Sequence, residues 1–349
     1  MLIATCNKGL EEIACKEVNE LIKTKAKKLF EGSIIFEGKE EDIITLNLLS
    51  KTLHKIYYVL LIDEITELND IYKKVYEIDW TKYIYQTQTF AIKAERFGKH
   101  NFTSLDIAKV AGQAVIDRYL KEKNVRLKVN LDNPNIRIKV IVRNKLLIVA
   151  LDTTGSSLHK RWYFKYTPTL KPSISASMVL ISEAKENIID PFCGLGTIPI
   201  EAYHFIMKIP NLNRNFEFQK FYFLDKSKMF EILEKKIEQK DLKIFGSDIK
   251  SHLIQKAKEN LENSFAKVNF FVKDALEIDY SQFDYIITDM PFGYKSKAEN
   301  LEELYKKFLE KTKEVKRAVI LTAYPLELEH KYEIDYGTLK AKIYVLDNK

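Results

Sequence analysis

Four apolar runs in the second half of the chain each end in an acidic residue: Asn187 to Asp190, Lys243 to Asp248, Val268 to Asp274 and Phe283 to Asp289. Helical spacing begins at Thr197 after the first run, fills Ser251 to Asn263 after the second, and returns at Asn300 to Val315 after the fourth. A further helix is predicted over Ser173–Ala184 and a further strand over Arg317–Pro325. Strands alternating with helices imply a parallel, doubly wound α/β sheet, whose ligands lie outside the carboxyl ends of its strands. One carboxylate after a strand is ordinary helix capping. Four such ends instead point to one large, hydrogen-bonding ligand lying across the sheet. The final stretch, Tyr332 to Asp347, reads as an antiparallel hairpin at the sheet edge.

The loop after the first run, Asp190-Pro191-Phe192-Cys193-Gly194-Leu195-Gly196-Thr197, carries two glycines and opens a helix. Glycines there let the backbone approach a ligand, and exposed N–H groups at the helix start favour an anionic group. Position 199 is proline, so the spacing is not the dinucleotide G-x-G-x-x-G, and no phosphate-loop G-x-x-x-x-G-K-[ST] occurs. Asp248 is placed to accept from ribose hydroxyls, although an insertion at 209–241 separates it from the glycines. Asp274 could meet an adenine amino group. Together these residues describe an adenosine with a carboxylate-bearing tail.

The fourth run ends in Asp289-Met290-Pro291-Phe292-Gly293. A residue before proline is held extended, which fixes the Met290 carbonyl beside the Asp289 side chain. Two neighbouring acceptors match an NH2 group. An exocyclic purine amine is a poor nucleophile because its lone pair is delocalised; holding its N–H bonds as the nitrogen pyramidalises favours attack. Phe292 offers a face for a flipped base and Gly293 gives it room.

At 349 residues more than one core is expected. Segments 1–66 read in the order βαββαβ, a ferredoxin-like pattern. From about Leu68 to Gly155 come a helix, a strand, a long helix from Ser104 to Lys121, and the strands Arg126–Asn133, Ile136–Asn144 and Lys145–Thr154. Residues 156–175 read as a linker. Basic residues at Arg96, Lys99, His100, Lys160 and Arg161 are interleaved with Phe97, Phe102, Trp162, Tyr163 and Phe164, a pattern that can hold phosphates and stack unpaired bases, or merely form a solvated face. The net charge of +7 permits a polyanionic partner without requiring one. Three cysteines with no CxxC pair give no expected metal site. No apolar run approaches the ~20 residues of a membrane span, and the N-terminus resembles no leader peptide, so a cytoplasmic protein is expected.

These motifs together resemble the THUMP-domain RNA methyltransferases. Leu158 to Leu180 is similar to that family's HKRGYR…LKPTLAAA segment; Asp190 to Ala202 is nearly its DPFCGSGTIPIEA; Asn211 to Phe221 and Gly246 to Ile249 also match, and Asp289 to Gly293 resembles its amine motif. The resemblance implies a class I, Rossmann-like methyltransferase domain at 176–349 behind a ferredoxin-like domain at 1–66 and a THUMP domain at 67–155. S-adenosyl-L-methionine would be the cofactor, bound by Asp190, Phe192, Cys193, Gly194, Leu195, Gly196 and Thr197, with Asp248 and Ile249 at the ribose, Asp274 and Ala275 at the adenine, and Asp289 beside them. Asp289, Met290, Pro291 and Phe292 would hold a guanine. The implied partner is tRNA, gripped at its 3′ end and acceptor stem, and the implied product is N2-methylguanosine; of the oligomeric states, none of which the sequence specifies, a monomer is favoured. Met290 in place of the commoner proline is more like the enzymes acting on guanine 6; mono- or dimethylation of guanine 10, or a non-catalytic RNA-binding protein, are the alternatives. Trp162 stands where the family usually has glycine.

Overall fold

The computed structural model describes residues 1–168, 170–235, 242–292 and 301–348. The first six elements are β1 (Leu2–Thr5), α1 (Glu11–Ile22), β2 (Lys27–Phe30), β3 (Ser33–Phe36), α2 (Glu40–Leu49) and β4 (Lys55–Glu64), the expected βαββαβ order. There follow α3 (Leu68–Glu77), β5 (Thr89–Phe97), α4 (Ser104–Lys123), β6 (Lys128–Val129), β7 (Ile136–Arg143) and β8 (Leu146–Asp152). All eight strands form one sheet in the order β2-β3-β1-β4-β8-β7-β5-β6. β4 and β8 pair antiparallel from Tyr57 with Asp152 to Glu64 with Leu146, so each unit covers an edge that the other would leave open.

Helix α4 starts where the Thr103 hydroxyl accepts from the Asp106 N–H and the Asp106 carboxylate accepts from the Thr103 N–H, and it ends at Asn124 in the left-handed region. The strand expected over Arg126–Asn133 shrinks to β6. Asn130 is the cause: its side-chain oxygen accepts from the N–H groups of Asp132 and Asn133, which turns the chain out of the ladder.

The second half holds α5 (Pro172–Ser182), β9 (Ile188–Asp190), α6 (Thr197–Ile206), α7 (Ser227–Glu234), β10 (Ile244–Asp248), α8 (Ser251–Glu262), β11 (Asn269–Val272), β12 (Tyr285–Asp289), α9 (Leu301–Thr312), β13 (Arg317–Thr322), β14 (Tyr332–Tyr336) and β15 (Leu339–Asp347). Its sheet runs β11-β10-β9-β12-β13-β15-β14. The first five are parallel, and β15 is antiparallel to both neighbours, which makes the terminal hairpin the expected edge.

Two connecting segments are more integrated than their composition suggests. Residues 156–175 are not a loose tether: Leu158, Tyr163 and Leu170 are buried, and α5 begins at Pro172, every one of its residues buried. Pro172 suits the first helical turn, where N–H groups lack intrahelical partners. The insertion that follows α6 leaves the second sheet altogether. Its Phe216, Phe218, Phe221 and Leu224 join the core of the first sheet, and Glu217 pairs with Arg137 of β7 at 3.2 Å. The N-terminal unit is also packed against the far edge of the second sheet. Gly9, at φ +88, lies so close to β14 that a Cβ there would sit 1.9 Å from the Glu333 carbonyl oxygen.

Candidate active site

β11, β10, β9 and β12 are neighbours, so their acidic ends form one row along the carboxyl edge of the sheet. Strand order reverses between β9 and β12, and at such a reversal the connections diverge to opposite faces and leave a crevice. Asp190, Asp248 and Asp289 are the last residues of β9, β10 and β12, while Asp274 follows β11.

The four acids do different work. Asp190 is buried, and its Oδ1 accepts from the Thr288 hydroxyl at 2.6 Å and the Phe192 N–H at 3.1 Å. It therefore braces the turn and the neighbouring strand. Burial pushes its carboxyl up to about 8, with Asp289 and Asp248 adding to the rise against the two hydrogen bonds. Asp248 is half-buried; it accepts from the Gly194 N–H at 3.2 Å and the Lys250 N–H at 2.9 Å. Beside it Ile249 is 63% exposed, an apolar side chain facing solvent at the rim. Asp274 accepts from the Leu276 N–H at 2.9 Å and opens a 3-10 turn, with Ala275 buried behind it.

In the glycine loop the two glycines divide the labour. A Cβ on Gly194, at φ +52, would meet nothing within 4 Å, so that side of the loop is open. A Cβ on Gly196, at φ +77, would lie 2.6 Å from the Phe270 ring and 3.2 Å from Ala257. Gly196 thus serves helix-to-sheet packing, whereas the loop is open on the Gly194 side. Phe192 and Cys193 also turn inward: Phe192 meets Phe308 edge-on, and the buried Cys193 donates its N–H to Ser247 while burial raises its thiol pKa well above the ordinary value. The Leu195 carbonyl accepts from Asn260 of α8, and Thr197 is buried at the start of α6.

At the end of β12, Asp289 Oδ2 accepts from the Tyr336 hydroxyl at 2.9 Å. The Phe292 ring meets Tyr336 nearly perpendicular, with centroids 5.6 Å apart. Met290 buries its side chain and donates its N–H to the Leu321 carbonyl of β13; the Pro291 carbonyl accepts from the Tyr305 hydroxyl. These bonds hold the main chain on both sides of the Met290 carbonyl. Gly293 lies outside the described residues. Tyr336 and Tyr305 were not read from the sequence. The one local signal was Gly337, which follows Tyr336 and takes φ +65 at the hairpin turn.

The basic residues separate into two groups. Arg96 near the end of β5 and Lys99 just after it are exposed; Arg96 donates to the Gly98 carbonyl at 3.0 Å, and His100 bonds the Asn144 carbonyl at 2.7 Å. Phe97 is covered by the Arg143 guanidinium at 4.2 Å, and Phe102 is buried. Lys160 is exposed. Arg161 is not available to RNA: its side chain is 3% exposed and paired with the fully buried Glu201 of α6 at 3.0 Å. Burial raises the Glu201 carboxyl, but the Arg161 guanidinium outweighs it and holds the group below its usual range. Arg161 also donates to the Lys51 carbonyl at 2.9 Å, and the fully buried Lys51 ammonium donates to Asn211 at 2.7 Å. Asn211 in turn donates to the carbonyls of Asn47 and Ser50 at the end of α2. This polar seam joins the N-terminal unit, the segment after β8, α6 and the insertion.

Among the described residues no group of His, Cys, Asp or Glu side chains is arranged to hold a metal ion, and no helix is long and apolar enough to cross a membrane.

The RMKL-like methyltransferase domain family matches residues 159–341, the THUMP domain family matches 66–152, and the ferredoxin-like domain family named for RlmL matches 1–57. A tRNA (guanine(6)-N2)-methyltransferase of Methanocaldococcus jannaschii is 35% identical over 98% of each chain. Its namesake in Archaeoglobus fulgidus is 36% identical over 98% of this chain and 91% of its own. Among solved structures, SMU.472 complexed with S-adenosylhomocysteine superposes with a TM-score of 0.86 at 23% identity, covering 100% of this chain and 98% of that one. TrmN from Thermus thermophilus superposes at 0.73 and 20% identity, covering 99% and 98%.

Replacing Arg161 with Met should cost about 3–5 kcal/mol in urea unfolding, because Glu201 is left charged and unpaired, while the salt dependence of RNA binding stays unchanged. A loss under about 1 kcal/mol with a shallower salt slope would return Arg161 to the RNA surface. Asp190→Asn tests the buried carboxyl. Its folded pKa near 8 lies above the unfolded value, so folding retains a proton that unfolding releases, and stability falls as pH rises through the interval from about 4 to about 8. The stabilisation gained by Asp190→Asn should therefore grow in thermal melts from about pH 5 to about pH 8 and level off above; a gain or loss independent of pH would contradict the assignment.

Proposed function

The chain belongs to the RMKL-like methyltransferases, and from that premise we propose that it methylates the exocyclic N2 of guanine 6 in the acceptor stem of tRNA, giving N2-methylguanosine. The observation that carries this reading is similarity along the whole length, THUMP region included, to two proteins named for that activity. The methyl donor is S-adenosyl-L-methionine, and the residues at the crevice fit it. Gly194 leaves open space beside the loop for the methionine portion, Asp248 stands where ribose hydroxyls would be accepted, exposed Ile249 offers an apolar edge to the adenine, and Asp274 faces the same rim.

Bound there, the cofactor would supply an electrophilic methyl group on its sulfur. The chain's contribution is to hold the acceptor nitrogen. The Asp289 carboxylate and the Met290 carbonyl accept the two N–H bonds as the guanine amine becomes tetrahedral and acquires positive charge, an interaction stronger in the transition state than in the ground state. The Phe292 ring supports the base out of its stack, which requires the target to leave the helix. Segments 1–66 and 67–155 act as one RNA-holding unit that grips the 3′ end, with Arg96, Lys99, His100 and Lys160 toward the phosphates. The enzyme works as a monomer in the cytoplasm, where its tRNA is.

The test is incorporation of labelled methyl into tRNA transcripts. The native sequence and a transcript altered only at guanine 10 should both be methylated, giving N2-methylguanosine on nucleoside analysis, and a transcript altered only at guanine 6 should not. Label that follows guanine 10 instead would overturn the choice of base, and no label in any transcript from protein that binds the cofactor would overturn the activity.

A further inference from the structure

Tyr336 closes the corner in which the acceptor nitrogen would sit, and nothing in the amine motif calls for it. It is the last residue of β14, the edge strand of the sheet. β14 runs parallel to β12 because each is antiparallel to β15 or parallel to β13, so its end reaches the same carboxyl rim as Asp289. There the phenol donates to Asp289 Oδ2 at 2.9 Å, while its ring meets Phe292 edge-on. The hairpin that carries it is held across its own two strands and by the N-terminal unit. Lys340 holds Asp335 at 2.5 Å, and the backbone at Glu333 lies against Gly9 of the N-terminal unit.

We infer that Tyr336 is a positioning residue for methyl transfer: its hydroxyl orients the Asp289 carboxylate, and its ring sets the tilt of Phe292 beneath the base. The inference rests on the proposed amine-holding role of Asp289. A carboxylate bonded through one oxygen cannot swing freely, so the geometry offered to the base nitrogen is set before the base arrives, which lowers the cost of ordering the site. A hydrogen bond donated to the charged form also favours that form and keeps Asp289 an acceptor. Among the described residues, the titratable groups beside Asp289 include Tyr336 from β14, Asp190 from β9 and Tyr305 from α9, whose phenol is raised by burial and further by the Asp289 charge. Asp190 holds its proton near neutral pH and so adds no charge beside Asp289, while Tyr336 donates to the Asp289 carboxylate.

Tyr336→Phe keeps the ring and removes only the donor. In single-turnover assays with full-length tRNA, the rate of methyl transfer should fall by roughly ten- to a hundredfold, the range for losing one hydrogen bond to a charged group. Binding of tRNA and of S-adenosylmethionine, measured by titration, should stay within about twofold. The acid limb of the rate–pH profile should move to higher pH, because the carboxylate loses the bond that favours its charged form. A rate within twofold of the native protein overturns the inference, as does a slower rate with an unmoved acid limb, or a loss of cofactor binding that accounts for the slower rate. Native protein that fails to methylate tRNA would instead count against the activity itself, so the two failures are distinguishable.

Discussion

The parallel contact between β9 and β12 is the constraint on which the site depends. It brings Asp190 and Asp289 to adjacent strand ends, and two carboxylates so placed repel unless one of them is neutral or well bonded. Here Asp190 is buried, bonded to the Thr288 hydroxyl on the neighbouring strand and to the Phe192 N–H, and pushed up in pKa. Holding its proton near neutral pH, it leaves Asp289 as the charged acceptor. The same Thr288–Asp190 bond ties the glycine loop after β9 to the amine corner after β12. The two halves of the crevice are thus joined by this side-chain bond in addition to the strand pairing.

A second constraint joins the two bodies of the molecule. The eight-stranded sheet merges two N-terminal units through β4 and β8, and the buried polar seam of Arg161, Glu201, Lys51 and Asn211 fastens that sheet to α6, which follows the glycine loop. Buried ion pairs are not an efficient source of stability, since desolvation cancels much of their attraction. Their directional bonds, however, define one arrangement where apolar contacts would allow several. A transferase that receives its substrate through a separate RNA-holding unit needs such an arrangement, because a small change at the seam would be magnified at the distant base. The contact of Gly9 with β14 adds a second point of registration on the opposite side of the transferase sheet.

Much of this was legible in the sequence because it is local. Apolar runs ending in acids, a glycine loop at a helix start, and an extended residue before Pro291 depend on neighbours within a few positions. What was not legible depends on distant partners. Arg161 looks like a surface cation among Lys160 and Trp162, and nothing nearby discloses Glu201, forty positions on. Gly196 looks like Gly194 until Phe270 is packed against it. Asp190 reads as one of four equivalent acids, yet only burial separates it from Asp248 and Asp289. Tyr336 is an ordinary tyrosine before a turn, and its meaning lies in the order in which β15 and β14 join the sheet. The linker and insertion were read from polar composition, whereas a few apolar side chains in each decide where they pack.

The central claim is that the oxygens at the end of β12 grip the nitrogen that receives the methyl group. Its most direct measurement is single-turnover transfer by Asp289→Ala, alongside tRNA affinity measured by filter binding. Loss of an acceptor that acts chiefly in the transition state should slow transfer by at least about a hundredfold while leaving tRNA affinity within about twofold. Transfer at close to the native rate, or weakened tRNA binding that alone explains the slower turnover, would contradict it.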